Sequence, residues 1–319
     1  MEPVISHLNS YQINFERVSE ILKEIATEKH ITQAELAAGI TTRDHLNKIL
    51  NGKRHPSLEL LYLLCNKLEI DIKILLLKCH FKNYERSDFL MQKMTNALRS
   101  FELDTYEQLY QEIESDPDFQ YGLGKQFLLK AKGTILLKKY RNYTDALYYL
   151  KLSLNQITDT KLNVSTGLNF LYTGQELEAY TFKSECLFKL GQKDEAIQLL
   201  TSLLDKRVKN YDSADSCTIL CTFCYLSRYL YSVENYQESI KYALKGIEYA
   251  ESKYIYMYLG DLYSIAGKSY IKLNDFSLAK THLQRAYDIY HTFEYLHFKA
   301  DVLLHCQKSN IQLNTYQKI

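Results

Sequence analysis

The sequence predicts an all-α protein in which a small N-terminal head precedes a series of helical hairpins. Only 3 prolines and 11 glycines occur among 319 residues, and such a composition favours long helices with few tight loops. Apolar residues recur at intervals of three and four, the spacing that places them on one face of a helix. In the second half of the chain, pairs of small residues recur twelve positions apart, which indicates a repeated helical unit.

The head begins with a helix that packs behind two shorter helices. Its apolar side consists of Phe15, Val18, Ile21, Leu22 and Ile25. The second helix has the sequence of a capping box, because Thr32 is followed three residues later by Glu35. We expect this helix to stop at Gly39, since a residue without a Cβ adopts the left-handed turn at little cost.

The third helix of the head has a polar face that suits the reading of DNA. It begins at Thr41 or Thr42 and buries Leu46, Ile49 and Leu50. Its other faces carry Thr42, Arg43, Asp44, His45, Asn47 and Lys48. We predict that Arg43 and Asn47, with Thr42, contact base edges.

A turn and a basic loop follow the third helix. The turn is Asn51-Gly52, the loop carries Lys53 and Arg54, and Ser57 caps the next helix. This order predicts a helix-turn-helix whose second helix enters the major groove while Lys48, Lys53 and Arg54 hold phosphates. A helical bundle that binds nothing would not need the turn residues and the basic loop together. The full set of predicted DNA-binding residues is Thr32, Gln33, Thr42, Arg43, Asp44, His45, Asn47, Lys48, Lys53 and Arg54.

The same stretch resembles the Cro/C1-type (XRE) helix-turn-helix domain. The resemblance is carried by Gln33, Leu36-Ala37, Gly39-Ile40, Leu46, Lys48-Ile49, Asn51-Gly52-Lys53, Pro56-Ser57-Leu58 and Leu61. The short turn, with Gly39 two residues after Ala37, is similar to that of peptide-pheromone regulators. One departure is Leu50, which stands where an acidic residue is common; this change affects packing or a surface contact rather than docking.

A connecting helix, predicted from Phe81 to Leu103, leads to the hairpins, and Asp116-Pro117 predicts a helix start before them. The paired small residues are Ser184 with Ala196, Ser227 with Ser239, Gly267 with Ala279 and, more loosely, Thr134 with Ala146. An aromatic residue precedes the second small residue by three in most copies, as Tyr143, Tyr236 and Phe276. The segments resemble tetratricopeptide repeats, in which small residues allow close approach of paired helices and the aromatic residue wedges between them. The stretch from 158 to 174 interrupts the period.

In a stack of such repeats, the first helix of each hairpin lines an extended binding face. Counting from the small residues places on it Glu178, Thr181, Glu185, Phe188, Cys221, Cys224, Arg228, Tyr231, Asp261, Ser264, Lys268 and Ile271. This mixture of aromatic, polar and charged groups suits an extended peptide. We predict that Arg228 binds a peptide carboxylate, that Phe188 and Tyr231 line a pocket and that Thr181 bonds the peptide backbone. The alternative, that these residues only complete packing between repeats, stays open.

Composition argues against several other classes of protein. The net charge is +1, from 39 basic and 38 acidic residues, so DNA affinity must come from local placement rather than from a global field. No signal peptide or membrane span is expected, and 7 scattered cysteines indicate a reducing cytosol. Cys217, Cys221 and Cys224 lack a fourth metal ligand, and the stretch from Gly122 to Lys125 fails the phosphate-loop motif. We therefore expect no enzyme activity and no cofactor.

A Cro-like head joined to such repeats resembles the RRNPP family of quorum-sensing regulators over essentially the whole chain. The resemblance implies a cytoplasmic homodimer, with a tetramer as the alternative, that binds a double-stranded DNA operator and a short signalling peptide. Size and plan are closest to members that control pheromone-induced plasmid conjugation. The implied domains are an arm (1–14), the helix-turn-helix (15–78), a connecting helix (79–103) and a repeat domain for peptide binding and dimerisation (104–319). Two alternatives are a scaffold that captures a protein partner and a Rap-like phosphatase, although Rap proteins lack a DNA-reading head.

Overall fold

A computed structural model describes residues 15–158, 174–207 and 216–315, and every regular element in these ranges is helical. The all-α prediction is thereby confirmed. The predicted arm and most of the predicted interruption after Thr158 lie outside the described residues. None of the described helices is long and apolar enough to cross a bilayer.

From residue 15 onward, where the structure describes the chain, five helices form the head. They are α1 (Phe15–Glu28), α2 (Gln33–Ala37), α3 (Arg43–Leu50), α4 (Leu58–Lys67) and α5 (Ile72–Lys78). Their shared core contains the predicted residues Val18, Leu22 and Leu46. The helical spacing of Leu58, Leu61 and Leu64 predicts one buried face of α4, but Leu58, in the first turn of that helix, is 59% exposed whereas Leu61 and Leu64 are buried.

The head is followed by α6 (Tyr84–Arg99), α7 (Leu103–Glu114), a 3-10 helix (Pro117–Phe119) and α8 (Gly122–Lys138). The connecting helix is shorter than predicted. It ends before Phe101, whose backbone has a φ of 59° and whose side chain is 76% exposed. Leu90, Met94 and Ala97 are buried against α7 and α8, as their spacing predicted.

The junction between α5 and α6 is held by one buried carboxylate, that of Asp118 in the 3-10 helix. It accepts hydrogen bonds from the backbone N–H groups of Lys82 and Asn83 at 2.8 and 2.9 Å, and from the Ser87 hydroxyl at 2.9 Å. The 3-10 helix lies so close to α8 that a Cβ on Gly124 would sit 1.9 Å from the Asp118 carbonyl oxygen. The start of α6 is therefore tied to α8 through Asp118.

Within the described ranges, the hairpins comprise eight further helices. They are α9 (Tyr143–Thr158), α10 (Gly174–Lys189), α11 (Lys193–Arg207), α12 (Ser216–Ser232), α13 (Tyr236–Ser252), α14 (Leu259–Lys272), α15 (Phe276–Thr292) and α16 (Leu296–Lys308). Contacts divide the chain into two compact units, one running to Lys139 with a few residues from Asn155 onward, the other holding Tyr140–Leu154 and the described residues from 174 onward. The four domain limits given above stay predictions.

The small residues lie where paired helices meet. The Ser239 hydroxyl donates to the Ser227 carbonyl oxygen at 2.8 Å, twelve residues back. A Cβ on Gly267 would lie 2.6 Å from the Leu283 side chain, so α14 and α15 pack too closely for a larger residue. The predicted aromatic wedge is incomplete, because Phe276 is 47% exposed.

Candidate functional site

The first candidate surface is the reading face, which we define as Gln33 on α2 together with Arg43, Asp44, Asn47 and Lys48 on α3. Gln33, Arg43, Asp44 and Asn47 line one depression on the surface of the head. The Arg43 side chain is exposed and has no hydrogen-bond or ion-pair partner in the described part of the chain. The reading face is therefore open to a ligand.

Caps place the two helices of this motif. Thr32 and Glu35 form the predicted capping box: the Thr32 N–H donates to Glu35 Oε2 at 2.8 Å, and the Glu35 N–H donates to Thr32 Oγ1. The Thr32 N–H and the Thr32 hydroxyl both donate to Glu35 Oε2, and these two bonds hold the pKa of the Glu35 carboxyl below its ordinary value. Thr42 is the N-cap of α3 and accepts from the His45 N–H at 3.2 Å. The hydroxyls of both threonines thus have structural partners.

Several of the predicted DNA-binding side chains already have neighbours. The Lys48 ammonium lies 2.6 Å from Asp44 Oδ2, and this hydrogen bond lowers the pKa of the Asp44 carboxyl. His45 Nδ1 lies 2.9 Å from Thr41 Oγ1. Lys48 must therefore leave Asp44 before it can contact a phosphate. Lys53 and Arg54 are exposed and have no hydrogen-bond or ion-pair partner in the described part of the chain.

The sequence did not indicate a chain of side-chain amides that orients Asn47. Lys23 on α1 donates to Asn51 Oδ1 at 3.1 Å, and Asn51 Nδ2 donates to Asn47 Oδ1 at 2.9 Å. The buried Ser19 hydroxyl also donates to the Ile49 carbonyl oxygen at 2.7 Å. Contacts from α1 thus fix the C-terminal half of α3, and spacing within α3 carries no signal for them.

The second candidate surface is the first-helix face, which we define as the side chains of α10, α12, α14 and α16 that surround Arg228. The Arg228 guanidinium lies 3.5 Å from Asp261 Oδ1 and 3.5 Å from Cys224 Sγ, and 5.7 Å from the centre of the Tyr225 ring. Its side chain is 51% exposed despite these neighbours. A carboxylate from solvent can reach it.

Charged and phenolic groups continue this face on both sides of Arg228. The Tyr225 hydroxyl donates to Glu185 Oε2 at 2.9 Å. Burial raises the pKa of the Asp261 carboxyl, although the Arg228 charge opposes this effect. Lys268 forms an ion pair with Asp301 on α16 at 2.5 Å, so its charge is already compensated.

Four predicted residues of this face are closed off. Thr181 is fully buried, where its hydroxyl donates to the Leu177 carbonyl oxygen at 2.8 Å and lies 2.9 Å from the Thr222 hydroxyl. Cys221, Cys224 and Ser264 are 7%, 1% and 5% exposed, and burial raises the pKa of the Cys224 thiol. The geometry argues against direct peptide contact from these four side chains, because α10, α12 and α14 would have to separate first.

The aromatic residues predicted to line a pocket are partly exposed. The Phe188 ring stacks on the Tyr229 ring, with centres 4.1 Å apart and planes 9° apart. Tyr231 contacts Tyr236 at 5.5 Å between ring centres. Glu178 is also partly exposed. The rings of Phe188 and Tyr231 can therefore present an apolar edge to a ligand that binds Arg228.

Sequence reasoning missed several phenolic groups of this face. Tyr225 was missed because its turn of α12 had been assigned to Cys224 and Arg228. Tyr290 hydrogen-bonds to Asp261 from the second helix of its hairpin, so no spacing along a first helix could have found it. Tyr258, whose φ is 64°, starts α14 next to Cys221. Among the described residues, no group of three or more His, Cys, Asp or Glu is placed to hold a metal.

Comparison with known protein families gives one match in the head and one among the hairpins. A family model described as helix-turn-helix matches residues 22–75, and one described as tetratricopeptide repeat matches residues 177–205. No curated protein sequence matches the chain.

Solved structures match over nearly the whole length. PlcR of Bacillus thuringiensis, in complex with the peptide PapR7 and DNA, is 19% identical with a TM-score of 0.71, over 90% of this chain and 99% of PlcR. ComR of S. thermophilus, in complex with DNA and its signalling peptide ComS, is 10% identical with a TM-score of 0.55, over 92% and 100%. The pheromone receptor Rgg2 of Streptococcus dysgalactiae is 10% identical with a TM-score of 0.55, over 91% and 99%. The chain therefore joins a helix-turn-helix head to tetratricopeptide repeats in the fold of the RRNPP regulators, as its sequence indicated.

Proposed function

We propose that this chain is a cytoplasmic transcriptional regulator that binds operator DNA through its reading face and a short signalling peptide through its first-helix face. The observation that carries the proposal is that each of the two units presents an arginine that a ligand can reach. Arg43 is exposed in the head and Arg228 is half exposed among the repeats. Solved structures of the same fold contain both DNA and a peptide. We propose that the regulator acts in quorum sensing, and control of plasmid conjugation is a more specific candidate for the regulated process.

The Arg228 guanidinium supplies the anchor for the peptide. A free C-terminal carboxylate can form two parallel hydrogen bonds with a guanidinium. Asp261 holds the guanidinium loosely, at 3.5 Å, so an incoming carboxylate competes with a weak partner. Phe188 and Tyr231 then offer ring edges to the last side chains of the peptide, while Glu185 and Glu178 provide acceptors for backbone N–H groups or an amino terminus.

This anchor is tested with peptides recovered from the culture supernatant of the source organism and identified by mass spectrometry. Calorimetry compares the free-acid peptide with its C-terminal amide, on wild-type protein and on Arg228→Ala. A charge-assisted hydrogen bond contributes about 1.5 to 3 kcal/mol, so wild-type protein should prefer the acid by roughly tenfold or more. Arg228→Ala should bind both forms equally weakly.

Lys241→Ala is the matched control, since it removes a cation that is paired with Glu238 on α13, the second helix of its hairpin. It should retain the preference for the acid. Equal binding of acid and amide by wild-type protein would exclude the Arg228 anchor, and absence of binding by any supernatant peptide would favour a protein-binding scaffold.

We propose further that two copies bind one operator. A single head offers few contacts, and binding by one head should therefore be weak at physiological salt. Two heads should engage half-sites about 34 Å apart, or a multiple of that distance. Sedimentation of the protein with operator duplexes of varied half-site spacing tests this arrangement. Tight occupation of a single half-site by a monomer would contradict it.

A further inference from the structure

Asp44 is an acid on a surface whose other charged side chains, Arg43 and Lys48, can only donate hydrogen bonds to DNA. It lines the same depression as Gln33, Arg43 and Asn47, and its side chain is 74% exposed. The Asn47 carbonyl oxygen is occupied by Asn51, which leaves the Asn47 amide group as a donor. Arg43 can only donate. Asp44 is therefore the charged acceptor of the reading face.

Local stability explains only part of this placement. An acid in the first turn of a helix interacts favourably with the helix dipole, and its pairing with Lys48 four residues later adds a further small stabilisation. Both effects operate equally well on a surface that never meets DNA. On a helix that enters the major groove, the same carboxylate is repelled by phosphates, and a hydrogen-bond donor on the DNA would offset the part of this repulsion that Lys48 does not compensate.

The major groove presents two such donors, the N4 amino group of cytosine and the N6 amino group of adenine. In adenine, the acceptor N7 lies next to N6 and repels a carboxylate. Cytosine has no acceptor on its own major-groove edge. Its guanine partner presents N7 and O6, which a guanidinium recognises bidentately, and Arg43 directly precedes Asp44 on α3.

We propose that Asp44 determines operator specificity by accepting a hydrogen bond from the N4 amino group of a cytosine. This inference rests on the proposed placement of α3 in the major groove. Each half-site then contains one cytosine opposite Asp44, at or next to a guanine contacted by Arg43. The Lys48 ammonium, at 2.6 Å from Asp44 Oδ2, stabilises the ionised form of this carboxylate.

The test is selection from a duplex library with a randomised central segment, performed with wild-type protein, Asp44→Asn and Asp44→Ala. Wild-type protein should prefer cytosine at one position of each half-site by about 5- to 150-fold. Asp44→Ala should lose preference at that position alone. Asp44→Asn should shift it toward adenine, because a side-chain amide pairs with adenine N6 and N7.

Glu59→Gln is the matched control, since Glu59 is an exposed acid in the first turn of α4. It should leave every base preference unchanged. Identical preferences for wild-type protein and Asp44→Ala would overturn the inference while leaving operator binding intact. If wild-type protein selected no sequence, the proposed function of the head would fail and the role of Asp44 with it.

Discussion

Removal of the Asp118 carboxylate should release the start of α6 from the rest of its unit. Asp118 is 4% exposed and accepts three hydrogen bonds, from two backbone N–H groups and from the fully buried Ser87 hydroxyl. In Asp118→Ala, each donor loses its partner at a cost of about 1 to 3 kcal/mol when buried. Lys82 and Asn83 are exposed residues, so in the variant water can solvate their amides and the cost of each lies at the low end of this range. With the buried Ser87 hydroxyl at about 1 to 3 kcal/mol, we expect a total loss of about 3 to 5 kcal/mol.

Amide hydrogen exchange measures this loss at the affected groups, which matters because a chain of two units need not unfold in one step. In wild-type protein, the Lys82 and Asn83 amides should exchange slowly. In Asp118→Ala, their protection should fall about tenfold for each 1.4 kcal/mol lost, while amides in the core of α4 should change less.

Asp88→Ala provides the control, because it removes a carboxylate from α6 itself. Its carboxylate accepts one hydrogen bond, from the Gln92 side chain at 2.6 Å one turn later, and its loss should cost less than about 0.5 kcal/mol. If the Lys82 and Asn83 amides stayed equally protected in Asp118→Ala, the argument that this carboxylate holds the junction would be refuted.

Four further predictions concern single side chains. Arg43→Ala should weaken operator binding by about 1 to 3 kcal/mol and relax one base position; unchanged binding to operator and random DNA in competition assays would show that α3 is not the reading helix. Arg54→Ala should weaken binding to all duplexes and reduce the slope of log affinity against log salt by about 1, as fluorescence anisotropy would measure; an unaltered slope would exclude a phosphate contact. Gly124→Ala should cost about 1 to 3 kcal/mol in urea unfolding, since its Cβ would lie 1.9 Å from the Asp118 carbonyl oxygen. Burial lowers the pKa of His80 from 6.5, so the unfolded chain takes up a proton first and the free energy of unfolding should fall as pH drops below about 6.5; His80→Phe should flatten that decline, and an unchanged pH profile would contradict the assignment.

Local features of the head were predictable because they depend on neighbours in sequence. The capping box of Thr32 and Glu35 acts across three residues, and Gly39 has the expected positive φ of 77°. Ser57 caps α4 as its position before an apolar run indicated. Each of these signals comes from the backbone chemistry of a single turn.

Contacts between distant residues were not predictable from spacing. Lys23 reaches Asn51 across 28 residues, and Asp118 reaches Asn83 across 35. Pairing of this kind depends on how helices pack in three dimensions, and many polar residues in a chain could supply either partner. The sequence therefore indicated which face of α3 is exposed and left open what orients its side chains.

The sequence predicted which helices carry the first-helix face, but only some of the side chains predicted to lie on this face are exposed. Counting from Ser227 placed Arg228 on this face, where it is half exposed. The same count could not show that Thr181 would be covered by Thr222 of the next hairpin. Burial at a repeat interface depends on the distance between successive hairpins, and no residue interval within one hairpin records that distance.

The proposed regulator responds to its signal only if peptide binding among the repeats and operator binding by the head are energetically coupled, and we propose that they are. Linkage requires each ligand to change the affinity of the other by the same factor, typically about 5- to 150-fold. The most direct measurement is a pair of calorimetric titrations of the full chain with the peptide, in the absence and in the presence of saturating operator. We expect the peptide affinity to differ between the two titrations. The ratio of the two peptide affinities should equal the factor by which the peptide changes operator affinity. Equal peptide affinities in the two titrations would contradict it.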